Sequence, residues 1–462
     1  MRRVIQALFV VCLSGLLACG SSVFDDTGPS SPPPPSDPPI TPPPPADPNA
    51  DYDNDGFSQN TGDCNDGDSF INPGAVEVEG MRCSAAKECP SGKCVGGYCR
   101  CQAPADCSSG KTCSKPTDCE FIGEVCKNGR CATTFACMAP AAGMSNPGMN
   151  VCRDNTDNNC NGKIDELPVS CDQLGQLNQG DPFHYARSME LCDDDRTCDP
   201  SHPCPGKMRC AAGRCSRVLT ARFNGDADPR SRAVAGAFAQ NGPIKPQAGS
   251  SFVVLSTGEA VYNPQMVCPQ TGTAFTNEHV DPDPKSSDPK ALDYIELALE
   301  ILVPTNAQSF DFNFHFFSAE YPEWITSKFN DTFWVQLHSK KFTGNISFDK
   351  NGTPIRIKSA FFDICDPDPT EPQTTGMCSQ PASVLTGTGY ARDCATGYGG
   401  QEANGGSTGW LHTSSPVTPG ETIKLVFSIF DKGDHKWDSA VLIDNFRWKL
   451  APAANPFTGT IE

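Results

Sequence analysis

Between Asp51 and Cys215 the chain carries twenty of its 26 cysteines, and no other feature limits its fold so strongly. Three runs share one spacing: Cys83-x5-Cys89-x4-Cys94-x4-Cys99, Cys113-x5-Cys119-x6-Cys126-x4-Cys131 and Cys198-x5-Cys204-x5-Cys210-x4-Cys215. Each has a glycine shortly before its last cysteine (Gly97, Gly129, Gly213), and Cys101-x5-Cys107-x5-Cys113 overlaps as a partial copy. A unit of ~17 residues cannot bury a core large enough to offset its chain entropy, so two disulfides per unit are expected to supply the order. Zinc is the competing use of clustered thiols, but it is usually held by Cys-x2-Cys pairs, and the chain has none. The spacing leaves the connectivity open, since four cysteines allow three pairings.

Disulfides need an oxidising compartment, and the N-terminus supplies a route to one. Arg2 and Arg3 precede an apolar stretch, Ile5 to Leu17, of the kind that export requires. The whole apolar segment, Val4 to Ala18, is about 15 residues and too short to span a bilayer. Leu16-Leu17-Ala18-Cys19-Gly20 follows, and it resembles the lipobox of bacterial lipoproteins. The resemblance implies a signal peptide over residues 1–18 and a lipidated Cys19 as the mature first residue, held in the membrane by several acyl chains. Gly20 in place of Asp implies sorting to the outer membrane or cell surface. With Cys12 lost and Cys19 lipidated, twenty cysteines remain in the Cys-rich region and four beyond it, both even numbers. Residues 19–50 form a tether whose runs Pro32 to Pro35 and Pro42 to Pro45 favour extended polyproline II, a spacer of up to roughly 90 Å. The anchor is expected at the N-terminus only.

Within residues 51–215 the chemistry lies in acidic loops. Asp51-x-Asp53-x-Asp55-Gly56 is followed by Asp63, Asp66 and Asp68, and Asp157-x-Asn159-x-Asn161-Gly162 repeats the spacing and ends in Asp165 and Glu166. Oxygen donors at alternate positions, with Gly sixth, let a tight turn aim several oxygens at one hard cation, so calcium is the expected cofactor. An EF-hand fits poorly, because the twelfth positions are Gly62 and Pro168. The pair resembles the MopE-type metal-binding motif, a relative of thrombospondin type 3 calcium repeats, with Asp51 to Glu77 as its first half and Cys152 to Glu166 as its second. The resemblance places Cys64, Cys152 and Cys160 near one calcium cluster if the halves pack, although the inserted cysteine repeats depart from it. Copper handling, which the MopE name suggests, suits oxygen loops less than calcium does.

Residues 219–450 have an ordinary globular composition, and residues 451–462 form a short tail. Phe310, Phe312, Phe314 and Phe316 alternate with Asp311, Asn313 and His315, the period of a half-buried strand. Phe333, Val335 and Leu337 repeat the pattern, as do Ile423, Leu425, Phe427 and Ile429, and Ser251 to Ser256 and Ala440 to Trp448 are further strands. One helix is expected from Pro182 to Leu191, capped by Asp181, with Phe183, Ala186 and Glu190 at helical spacing. The fold class is therefore mainly β: a C-terminal β-sandwich or jelly roll behind a disulfide-rich, calcium-loop stalk with little regular structure. Cys365, Cys378 and Cys394 are expected to pin the long Gly-rich loop from Pro367 to Gly409.

Leu255-Ser256-Thr257-Gly258, Phe317 to Glu323, Lys328 to Phe333 and Ile429-Phe430-Asp431-x-x-Asp434-x-x-x-Asp438-Ser439-Ala440-Val441 resemble the choice-of-anchor L domain. That resemblance implies an extracellular module on bacterial surface proteins and no particular chemistry. Glu320, Asp331, Asp431 and Asp438 stand beside apolar strand residues, where an uncompensated carboxylate is costly, and they form a second candidate cation set.

The formal net charge of −19 disfavours nucleic acid as a partner. The zinc-protease helix and the phosphate loop are missing as motifs, and the seven histidines form no ligand-spaced pair. The reading is a lipid-anchored cell-surface protein, not an enzyme, whose β-sandwich binds an extracellular protein or glycan in adhesion or envelope and matrix contact. The alternative is an exported hydrolase centred on Glu320, Asp331 and Asp438, or a carbohydrate-binding protein using Trp324, Trp334, Trp410 and Trp437.

Overall fold

Alternating apolar residues predict strands that must find a partner face, and from Val218 to Thr460 they do. The structure, a computed structural model, describes residues 47–77, 89–95, 98–114, 124–133, 135–138, 150–164, 171, 179–194, 196–238, 244–260, 275–322, 324–365, 378–380, 382–390 and 405–461. The signal segment, Cys19, the tether up to Ala46, Asp165 and Glu166 lie outside these residues.

Two antiparallel sheets carry the C-terminal region. One runs in the order Arg232–Ala235, Phe252–Ser256, Ser439–Lys449, Ser309–Ser318, Gly406–Pro416, Ile364–Cys365, with Phe457–Thr460 added beside Gly406–Pro416. The other runs Glu278–Val280, Lys290–Leu302, Thr422–Asp431, Thr332–His338, Thr343–Asn345, with Val218–Phe223 and Ile355–Arg356 paired at its sides. The strand Phe457–Thr460 thus falls in the stretch expected to be a short tail.

Phe310, Phe312, Phe314 and Phe316 point into the space between the sheets and meet Phe333, Val335, Leu337, Ile423, Leu425, Phe427 and Ile429, all fully buried. Phe312 packs edge-on against Phe427 across the two sheets, with ring centroids 5.1 Å apart. Each such side chain contributes about 1.5–3 kcal/mol through apolar burial. The expectation of a half-buried strand needs correction here. Asn313, His315 and Phe317 on the other face are also buried, because a second apolar cluster built from Phe238, Phe252, Leu385 and Tyr390 covers them.

The helix spans Pro182–Ser188, and Asp181 Oδ1 accepts from the Phe183 amide at 3.0 Å, as its N-cap role requires. It ends before Leu191, and its buried residues are Tyr185, Ala186 and Ser188. Tyr185 and Ala186, with Met189 and Leu191 beyond the helix, join the sandwich core. Of the residues that spacing suggested, Ala186 is in the core and Phe183 packs half-buried against it, whereas Glu190 lies beyond the helix and Tyr185 completes the face that the sheet sets.

The cysteine-rich region has only short hairpins, and its order is covalent. In the unit that begins at Cys198 the pairs are Cys198–Cys210 and Cys204–Cys215, a first-to-third and second-to-fourth pattern. Cys89–Cys99 and Cys113–Cys126 in the other two units keep the same order, and Cys94 and Cys131 are also disulfide-bonded. The partial copy does not behave as a unit: Cys101 bonds Cys137 and Cys107 bonds Cys152. Cys365–Cys378 begins the pinning of the Gly-rich loop, whose Cys394 lies outside the described residues.

Residues 47–462 form one compact unit, so the acidic loops are not a remote stalk. Asn72 to Val76 lie on the sandwich. The Thr305 amide donates to Gly74 O at 3.0 Å, Asn306 pairs with both the amide and the carbonyl of Val76, and Arg217 Nη2 donates to Ala75 O at 2.8 Å. The close approach needs a glycine, because a Cβ on Gly74 would stand 2.8 Å from the Phe57 ring and 2.9 Å from Thr305 Cγ2.

Candidate functional site

The two acidic loops have the same local geometry. In the first, Asp51 accepts from the amides of Asp55 and Gly56, Asp53 from Asp55, and Asp55 from Phe57. In the second, Asp157 accepts from Asn161 and Gly162, Asn159 from Asn161, and Asn161 from Lys163. Position four is left-handed in both (Asn54, φ 63°; Cys160, φ 55°), and so is position six (Gly56, φ 96°; Gly162, φ 87°). Consecutive side-chain-to-amide turns of this kind are what Asx residues favour, and they wind the donors toward one side.

The halves meet. Cys64 bonds Cys160, the Asn72 amide donates to Asn158 O at 3.1 Å, and Glu77 Oε2 accepts from the amides of Asn158 and Asn159. Cys152 pairs with Cys107 instead and is fully buried. Arg196 clamps the junction from outside, donating to Asn159 O and Pro73 O while it holds Asp194.

Five of the expected ligands come together in two overlapping groups, Asp51–Asp53–Asp55 and Asp53–Asp63–Asp66, each with ligand atoms within 4.8 Å of one another. Four of them share one arrangement. Asp53, Asp55, Asp63 and Asp66 each give Oδ1 to a backbone amide (Asp55, Phe57, Asn65 and Tyr52 respectively). The Oδ2 atom of each is buried and accepts nothing. Burial is the main cause that raises the Asp53, Asp55 and Asp63 carboxyls, Asp55 to about 6, against the lowering by backbone amides, and neighbouring carboxylates add to the rise. One oxygen fixed by an amide and the other turned inward without a donor is the orientation that a hard cation uses. Asp68 differs: it is exposed and caps its own turn through the Phe70 amide. Among the described residues Asp157 has no two further carboxylate, His or Cys ligands within the same reach.

A second acidic cluster sits at one end of the sandwich, where both sheets contribute. Asp331 precedes the Thr332–His338 strand, Asp431 ends Thr422–Asp431, Glu320 follows Ser309–Ser318, and Asp438 precedes Ser439–Lys449. Their exposures are 0, 1, 1 and 5%. Asp293, which pattern reading did not single out, joins them at 1% exposure. It lies in a register shift between Leu292 and Ile295 with φ 50°, a bulge that re-aims its side chain. No signal in the sequence distinguished it, since Asp293 is one of three acids, with Glu296 and Glu300, in the Lys290–Leu302 strand. Asp331 Oδ2 accepts from Ser439 Oγ at 2.6 Å and Oδ1 from the Lys432 amide at 3.3 Å, while Glu320 Oε2 accepts from the Asp331 amide at 3.3 Å. Burial, then the Asp331 charge, pushes Glu320 well up; burial likewise raises Asp331 to about 7 and Asp293 to about 6. His435, the histidine closest to this run in sequence, bonds Asp293 Oδ1 through Nδ1 at 2.7 Å.

A disulfide-stapled N-terminal segment locked onto an antiparallel two-sheet sandwich defines an extracellular type of β-module protein. The chain belongs to the Choice-of-anchor L domain family, which matches residues 208–447, more than half of its length. The match starts inside the unit that begins at Cys198, so Cys210 and Cys215 belong to the same region as the sandwich. No curated protein matches the chain. Choice-of-anchor domains occur in secreted or surface proteins, which accords with export and with a surface-associated protein.

Proposed function

We propose that this is a lipid-anchored outer-membrane protein that displays its sandwich for contact with an extracellular protein or glycan, and that calcium in the first acidic loop locks the N-terminal segment onto that sandwich. The observation that carries the calcium reading is the set of four inward Oδ2 atoms on Asp53, Asp55, Asp63 and Asp66. Like charges at that spacing repel one another and favour either protons or a divalent ion. The likeness of the paired loops to thrombospondin type 3 calcium repeats supports the same choice. Because the loop continues directly into Asn72–Val76, an ion there stiffens the segment that touches Thr305, Asn306 and Arg217.

A binding module is favoured over a hydrolase. Glu320, Asp331 and Asp438 are at most 5% exposed, which leaves a polymer substrate little to reach. The test is thermal unfolding of the oxidised chain in calcium and in EDTA. A rise in Tm with calcium that disappears in Asp53→Asn/Asp63→Asn supports the lock, and an unchanged Tm removes it. Mass spectrometry of the membrane-extracted protein tests lipidation at Cys19.

A further inference from the structure

An Asp-Pro peptide is chemically weak, because the aspartate carboxyl can close a five-membered ring onto its own carbonyl carbon and the prolyl nitrogen, which carries no N–H, leaves readily once protonated. Asp199-Pro200-Ser201-His202 sets such a bond in a tight turn of the unit that begins at Cys198. The His202 amide donates to Asp199 O, the carbonyl of that bond, at 3.1 Å and to Asp199 Oδ1 at 2.9 Å, so one N–H holds carboxylate and carbonyl side by side. The Ser201 amide also fixes Oδ1, at 2.7 Å. His202 Nδ1 stands 3.2 Å from both carboxylate oxygens, and among the described residues no other ion pair touches either side chain. Both side chains face solvent, His202 at 80% and Asp199 at 57% exposure, so neither serves a core. Other Asp-Pro bonds differ: the Asp228 carboxylate is held by the Arg230 guanidinium and Asp281 by Lys432, and at Asp181-Pro182 the histidine is farther off, with His184 Nε2 3.7 Å from Asp181 Oδ2.

We propose that the Asp199–Pro200 bond cleaves itself, with Asp199 as the nucleophile and His202 as its proton donor. The imidazolium passes a proton across the 3.2 Å contact to Oδ2 of the carboxyl, which delivers it to the Pro200 nitrogen as Oδ1 bonds the Asp199 carbonyl carbon. The C–N bond breaks with its electron pair staying on that nitrogen, and the His202 amide steadies the charge that gathers on the carbonyl oxygen. Water then opens the cyclic anhydride, leaving Asp199 with two carboxylates and Pro200 with a free secondary amine, and a released proton returns to His202. Of the described disulfides only Cys198–Cys210 spans the cut. The two parts therefore stay covalently joined until that bond is reduced, after which packing alone holds the residues up to Asp199 on the sandwich.

The test incubates full-length oxidised protein in mildly acid buffer, where imidazoles protonate, then reduces samples in denaturant and reads their fragments by mass spectrometry. The expected result is a fragment beginning at Pro200 that grows with time, separates only after reduction, and outpaces fragments from Asp181-Pro182 and Asp228-Pro229. His202→Gln is expected to slow it by at least about a hundredfold, as loss of a positioned proton donor does. Asp199→Asn, which keeps an oxygen for the Ser201 and His202 amides, is expected to abolish it. Hydroxylamine added during the reaction should leave a hydroxamate on Asp199, the mark of the anhydride. The proposal is overturned if no Pro200 fragment forms, if it forms no faster than fragments from the other Asp-Pro bonds, or if His202→Gln cleaves at the wild-type rate.

Discussion

Arg217 and Ala75 are 142 residues apart in the chain, yet the buried Arg217 guanidinium donates to the Ala75 carbonyl at 2.8 Å. This bond fastens the acidic segment to the sheet that begins at Val218. Arg217 is so enclosed that burial lowers it to about 10, with Asp194 as the charge that sustains it. Arg217→Ala is expected to destabilise the protein by about 3 kcal/mol, as loss of a buried charged hydrogen bond does. Denaturant unfolding measures the loss, and faster proteolysis near Asn72 to Val76 would mark where it acts.

Gly74 tests the same contact from the other partner. Gly74→Ala puts a methyl group against the Phe57 ring and Thr305, where overpacking costs about 1–3 kcal/mol. Hydrogen exchange at the Thr305 amide, which donates to Gly74 O, should accelerate while exchange in Thr422–Asp431 stays slow. Equal acceleration in both would show that the segment and sandwich unfold together.

Cys64→Ala/Cys160→Ala uncouples the two acidic halves. The bond closes 96 residues, though other disulfides already shorten that loop, so the expected cost is about 2–4 kcal/mol. Calcium affinity measured by calorimetry should fall as well, because the first loop loses its fixed neighbour. Unchanged affinity would place the ion wholly within Asp51 to Asp66.

His315 gives the sandwich an acid limit. It is 2% exposed, stacked on Phe317 at 4.1 Å and bonded through Nε2 to Ser407 Oγ, and burial lowers it to about 3. The unfolded chain takes up this proton near pH 6.5 and the folded chain only near 3, so the unfolded state binds more protons between those values. Stability is therefore fully present above about pH 6.5 and is lost as pH falls toward 3, by up to about 5 kcal/mol from this residue. His315→Gln should flatten that part of the stability-against-pH curve, and an unaltered slope would refute the assignment.

Phe312→Ala removes the ring that meets Phe427 across the sheets, and a loss of about 3–5 kcal/mol in unfolding free energy is expected.

The strands were legible because their period is local. Phe310 to Phe316, Phe333 to Leu337 and Ile423 to Ile429 each carry the alternation within themselves. That both faces of Ser309–Ser318 are covered was not legible, since the cover comes from Phe238, Phe252 and Tyr390, distant in sequence. The helix cap at Asp181 was readable; the buried face of the helix was not, for the same reason. At the sites, the Asp51 and Asp157 turns followed from donor spacing and Gly at position six. Docking of Asn72 to Val76, the bonds from Cys101 and Cys107, and the place of Asp293 in a bulge all depend on contacts between segments far apart in the chain.

The bond Cys64–Cys160 encloses Cys101–Cys137 and Cys107–Cys152, which interleave with each other along the chain. A single backbone cut anywhere between Cys64 and Cys160 therefore leaves both new ends covalently joined. Proteolytic damage there yields a nicked molecule whose two pieces stay together until a reductant arrives.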